Sequence, residues 1–292
     1  MPLKAPPPKV YPAAGAAIIA AVFTARYVAK WRRRRTMRRE GAHHGLGGGR
    51  CFIGLDLTDP SAAKPRPCDV AVLDGQMAVT FSHWAYKEDG SGIIPPKALG
   101  RAFVLAVDGP QGLAGEPEAT MRESERRVNA PGRTPFTFPD DERPYAGLIT
   151  GSVRLFQRLV TSGTRFRLLG LDGVPPEDTT LIEAFPGGAF RRLADGQLPA
   201  KRTDEGRQAR FALLQELGLV FSDPSTLPTA DQLDAAMAAW VAMRFHEGEA
   251  HAEGAAPEMD EVAGVVREGY IVMPGEPEPE GTVVPEDAVI PV

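Results

Sequence analysis

Three acids stand out for where they fall in the sequence. Asp56 closes the apolar run CFIGLD, Asp108 closes AFVLAVD, and Glu183 sits in TLIEAF just before Pro186 and Gly187. Each run reads as a β-strand, and in open α/β sheets ligands collect at the C-terminal edge of the strands. Carboxylates gathered on one edge repel each other unless a cation neutralises them, and hard oxygen ligands select magnesium or manganese. A pair of such ions would activate water and stabilise the leaving oxygen of a phosphodiester. Each acid taken alone has a plainer use, since acids also end strands and start turns.

Two more acids lie three apart near the C-terminal third, Asp231 and Asp234, and on a helix that spacing puts them on one face. Asp231 has a structural use in the first helical turn, where a negative charge complements the helix dipole. Asp234 has none, because it lines up with Met237 and Val241 on the face expected to pack inward, where an unpaired carboxylate is costly. A metal ion or a basic partner would relieve it. Lys201, Arg202, Arg207 and Arg210 form a dense basic group within the core. Phosphate contacts are the functional reading of Lys201 and Arg202, and a solvated helix start capped by Thr203 is the plain one. The run Arg122 to Arg127 reads as a solvated face of alternating charge. Asp59, Asp69 and Asp74 read as loop and turn residues.

The elements that must carry these side chains follow from periodicity. CFIGLDL, CDVAVLD and QMAVTFSHW are three short β-rich runs, with Asp74-Gly75 a hairpin signal between the last two. AFVLAVD and TLIEAF are more continuously apolar, as expected for strands buried on both faces, and glycine and proline stop each of them. Helical spacing appears over 118–129, 145–161, 204–217 and 231–246. The last helix starts with Thr229 and Gln232 placed as a capping box. The expectation is one α/β domain over 51–274, built on a mixed five-stranded sheet (three antiparallel strands, then parallel strands) flanked by helices. Between 247 and 274 only EGYIVMP reads as structured.

The chain has 292 residues, 43% hydrophobic and 24% charged, enough for one large core. Its formal charge of −5 hides a split: residues 1–39 carry ten Lys or Arg and no acid, whereas residues 247–292 carry twelve acids against Arg267. The middle is mildly acidic, so polyanion binding would rest on local basic patches or bound cations rather than a long-range field. Residues 1–50 read as a basic leader. The uncharged run 10–24 is short for a span of about 20 residues, so a disordered leader is preferred to a membrane anchor followed by positive charge. Residues 275–292 read as an acidic mobile tail. Cys51 and Cys68 would open two antiparallel strands at opposite ends of the pair, too far apart to bridge, which fits a reducing, cytoplasmic setting. His246 and His251 imitate a zincin motif, but five residues turn a helix by about 140° and separate them.

FIGLDL, AVDGPQGL, the Arg122–Glu125 segment, EAFPGGAFRRL, AKRTDEGRQARFALL, DQLDAAMAAWVA and EGYIVMP, in that order, resemble domain-of-unknown-function family 429 (DUF429), regarded as nucleases with a ribonuclease H-like fold. Ser124 stands where that family often has a cysteine. The resemblance implies an acidic site of Asp56, Asp108, Glu183 and Asp234, with Asp231 close by and Lys201 a phosphate ligand. It implies a Mg²⁺- or Mn²⁺-dependent nuclease acting on a nucleic acid or nucleotide. Asp56 would bridge two ions, Asp108 and Glu183 would hold one each, and Asp234 would complete the shell or orient the attacking water. Two rivals stand beside it. Gly54 to Thr58 is similar to the first phosphate loop of the actin and sugar-kinase superfamily, but lacks the glycine after the aspartate and leaves too little chain for that superfamily's repeat. A ribonuclease H-like scaffold could also bind a partner without turnover.

Overall fold

The computed structural model describes residues 49–162, 166–171, 179–194 and 197–277. The basic leader up to residue 48, with its linker, and the acidic tail from residue 278 lie outside the described residues, as do the readings made of them. None of the helices among the described residues is long and apolar enough to cross a membrane.

The chain opens with β1 (Cys51–Asp56), β2 (Cys68–Asp74) and β3 (Ala78–Trp84), which pair antiparallel in succession. Asp74 makes the expected hairpin turn: its Oδ1 accepts from the backbone N–H groups of Gln76 and Ala78 at 2.8 and 2.9 Å. The chain then crosses to β4 (Ala102–Asp108), parallel to β1, and later to β6 (Thr179–Ala184), parallel to β4. Cys51 and Cys68 are buried, at opposite ends of the β1–β2 pair.

This five-strand centre, in the order β3-β2-β1-β4-β6, is extended rather than final. Four short strands add to it: β5 (Phe166–Leu168) on β6, β7 (Val220–Phe221) on β3, and beyond β6 first β11 (Ile271–Pro274) and then β8 (Ala250–Glu253). The sheet therefore has nine strands instead of the expected five. β11 falls in EGYIVMP, the stretch expected to be structured, whereas the other pieces, of two to four residues, carry too little periodicity to be read locally, and it is their partners that hold them extended. Two further strands, β9 (Glu258–Asp260) and β10 (Val265–Arg267), form a separate pair, so 247–274 is more ordered than its composition suggests.

Five α-helices are described: α1 (Glu123–Val128), α2 (Ala146–Thr161), α3 (Pro186–Leu193), α4 (Asp204–Glu216) and α5 (Ala230–Glu247). Pro186 and Gly187 do more than stop β6, because Pro186 starts α3, where its missing N–H costs nothing. The helix expected from residue 118 begins only at Glu123, because Arg122 keeps an extended backbone (φ −75°, ψ 158°) at its N-cap.

Side chains alternate between the two faces of the sheet. Phe52, Ala71, Val104, Ala106, Ile182 and Ala184 face a core filled by α5. Ile53, Leu55, Leu105, Val107 and Leu181 face the other way, toward Leu155, Phe156 and Leu159 of α2. Helix α5 is buried continuously from Leu233 to Met243, and it lies close on β1 because Gly54 leaves room for it. A Cβ on Gly54 would overlap the Ala235 carbonyl oxygen and the Ala239 nitrogen.

Candidate functional site

Register decides which strand-end acids meet. Asp56 pairs directly with Asp108 across the parallel β1–β4 ladder, so both carboxyl groups leave on the α5 face. The capping box starts α5 as expected, with the Thr229 hydroxyl accepting from the Gln232 N–H and the Gln232 Oε1 accepting from the Thr229 N–H. The close contact at Gly54 then brings Asp234 down beside the strand ends. One carboxylate oxygen from each of Asp56, Asp108 and Asp234 lies within 4.8 Å of the others, a group that could hold a metal ion. Asp56 and Asp234 are buried and Asp108 is partly so.

Crowding of the acids shows in their protonation. Burial, then the charges of Asp108, Asp234 and Asp231, hold the Asp56 carboxyl well above the usual carboxylate range. Asp108 is pushed up to about 7, chiefly by burial and then by Asp234, against the opposing pull of Lys201. Asp234 is raised by burial, with Lys201 opposing most strongly. The Lys201 ammonium donates to Asp234 Oδ2 at 2.7 Å. Burial disfavours that ammonium's charge, yet Asp234, Asp56 and Asp108 together hold its pKa above the ordinary lysine value.

Asp231 stands one helical turn before Asp234 and pairs with Arg66 at 3.0 Å. Arg202 is exposed on the turn before α4. Asp69, which reads from sequence as a loop residue, is the register partner of Asp56 on β2 and is buried on the same face. His83 Nδ1 lies 3.1 Å from Asp69 Oδ1. The signal for Asp69 was available in the sequence only through pairing: the second residue of CDVAVLD falls opposite the last residue of CFIGLD once β1 and β2 pair antiparallel.

Glu183 lies elsewhere. It pairs with Val107, not Asp108, and so leaves the sheet on the α2 face. Both its oxygens are taken by Arg122, from Nη1 at 2.7 Å and Nη2 at 2.6 Å, and Oε2 also accepts from the Gln111 N–H at 2.9 Å. Arg122, expected on a solvated face, is fully buried. It also donates to Glu125 at 3.1 Å, and Glu125 accepts from the Thr134 N–H at 2.7 Å and the Thr134 hydroxyl at 2.5 Å. Burial would raise the Glu125 carboxyl, but Arg122 and Thr134 hold it below its ordinary value. Glu183 stays raised, because burial outweighs Arg122 there. This is a buried ion-pair network that ties the segment after β4 to β6, and sequence spacing alone could not find it.

Residues 96–259, more than half of the chain, match the model of a family described as Protein of unknown function (DUF429). The match includes Asp108, Glu183, Lys201, Arg202, Asp231 and Asp234 and begins after β1, which carries Asp56. No curated protein and no solved structure matches the chain.

Proposed function

We propose that this chain, which belongs to the DUF429 family of proteins of unknown function, is a divalent-metal-dependent hydrolase of phosphodiester bonds, with a nucleic acid or nucleotide as substrate. The observation that carries the reading is the convergence of Asp56, Asp108 and Asp234 from two strands and a helix to within 4.8 Å. Burying like charges together is unfavourable, and here burial and mutual repulsion drive Asp56 and Asp108 toward the protonated state. A set of carboxylate oxygens with that unmet demand for positive charge suits Mg²⁺ or Mn²⁺, which take hard oxygen donors. Such an ion, when bound, polarises a phosphoryl group and acidifies water.

The chain's own residues supply the rest. Asp56, Asp108 and Asp234 would hold the ion, and the group as it stands offers donors for one ion. Asp231 lies at its rim. Glu183, clamped by Arg122 on the other face of the sheet, would take no part in holding the ion. The strand order β3-β2-β1-β4-β6, with acids at the ends of the two central parallel neighbours and a third from a closing helix, supports a ribonuclease H-like reading of the fold, though function does not follow from fold alone.

The test is thermal melting of the wild type beside an Asp56→Asn/Asp108→Asn variant, titrated with Mg²⁺ and Mn²⁺, followed by a mixed oligonucleotide cleavage screen. A ligand that binds only the native state raises its melting temperature. Stabilisation confined to the wild type, with metal-dependent cleavage, is the expected result. A metal-induced shift in melting temperature that is absent, or the same in both proteins, would remove the basis for the proposal.

A further inference from the structure

We propose that Arg66 and Lys201, each paired with an acid of α5, form a two-pronged clamp for phosphate oxygens beside the Asp56–Asp108 pair, gripping a phosphodiester strand. The proposal rests on the metal-dependent reading above.

The two cations share a construction. Lys201 pairs with Asp234 and Arg66 with Asp231, two acids one turn apart on α5. Both heads reach solvent, the side chains being 43% and 67% exposed, whereas Arg122 in the neighbouring network is fully buried. Both backbones are anchored. The Arg66 carbonyl accepts from the Thr58 hydroxyl at 2.8 Å, just after β1. The Ala200 carbonyl, next to Lys201, accepts from both the N–H and the hydroxyl of Thr203 at 3.1 and 2.8 Å, and the Pro199 carbonyl accepts from Arg210 at 2.9 Å. Each is therefore a movable charge on a fixed base at the edge of the acidic group.

The Arg66–Asp231 pair is a poor structural investment, because an exposed ion pair adds little to stability, whereas Lys201 neutralises the buried Asp234 carboxylate for as long as no cation does so. Both pairs suit exchange. A divalent ion among Asp56, Asp108 and Asp234 would weaken the hold of Asp234 on Lys201, since the carboxylate charge is then shared. Lys201 has three donors and Arg66 a planar fork, and phosphate oxygens accept both. The chain as a whole is acidic, so the attraction for a polyanion has to be local.

The experiment measures binding of a fluorescent twelve-residue oligothymidylate by anisotropy, in Ca²⁺ and across a salt series, for the wild type and for Arg66→Ala, Lys201→Ala and Arg154→Ala. Arg154 is an exposed control on α2, paired with Glu88 at 3.3 Å on the other side of the sheet. Arg66→Lys and Lys201→Arg check for rescue by charge, and Mn²⁺ binding is followed by calorimetry on the same proteins. Expected are a loss of roughly fivefold or more for each of the first two alanine variants, with the salt slope reduced by about one each. Arg154→Ala keeps wild-type affinity, the charge-retaining variants recover most of it, and Mn²⁺ affinity is not diminished. Oligonucleotide affinity unchanged from the Arg154→Ala control, with Mn²⁺ still bound, overturns the clamp alone. Absence of Mn²⁺ binding by the wild type overturns the metal reading and this inference with it.

Discussion

Glu183 and Asp108 lie on adjacent parallel strands one residue out of register, so their carboxylates leave opposite faces of the sheet. Asp108 joins Asp56 and Asp234, while Glu183 joins Arg122. The two acids should therefore respond differently to neutralisation. Asp234→Asn is expected to weaken Mn²⁺ binding by on the order of tenfold or more, about 1.4 kcal/mol. Glu183→Gln should leave it within a few-fold of wild type, and isothermal calorimetry would show the contrast. Equal losses would return Glu183 to the ligand set.

Arg122 is the point where stability is most exposed to mutation. Arg122→Met strands the Glu183 and Glu125 carboxylates in the interior, and breaking a buried pair from one side costs about 3–5 kcal/mol. Arg122→Lys should recover little, because an ammonium cannot reproduce the two-point contact with Glu183. Urea unfolding of the two variants beside wild type measures both effects.

The raised carboxyl groups set a pH dependence for the metal-free protein. Asp56 and Asp108 bind protons more tightly folded than unfolded, Asp108 with a value of about 7 against an ordinary 3.8. Between those values the folded state holds more protons, so stability falls as pH rises through that window and is greater on its acid side. The melting temperature without metal should rise by a few degrees from pH 8 to pH 6. Asp108→Asn should flatten the slope, and saturating Mg²⁺ should remove or reverse it. A melt of the metal-free wild type that is level over this range would contradict the burial of these charges.

Gly54 links the fold to the site. Its Cβ position is already filled by backbone atoms of Ala235 and Ala239, so Gly54→Ala must push α5 away from β1. Overpacking of this kind costs about 1–3 kcal/mol or more. The same shift carries Asp234 away from Asp56, so metal affinity should fall further than in a core variant of equal stability remote from α5, such as Leu159→Ala on the buried face of α2. Comparing calorimetric Mn²⁺ affinities of the two variants separates displacement of the helix from general loosening.

Much of this could be read from the residues alone. The strand runs ending in Asp56 and Asp108, the Asp74-Gly75 hairpin, the Thr229–Gln232 capping box and the inward face of Asp234 are local patterns, written within a few residues of one another, and the structure carries all of them. What tertiary structure decided was which acids share a face. A strand's periodicity shows that its side chains alternate, but whether Asp108 or Val107 stands beside Glu183 depends on how two strands 75 residues apart align, and a one-residue shift reverses every face. The same long-range pairing set Asp69 opposite Asp56 and held the short outer strands extended. It also drew Arg122 into the interior, because a charge run is solvated by default and becomes buried only when distant carboxylates are brought within reach of it.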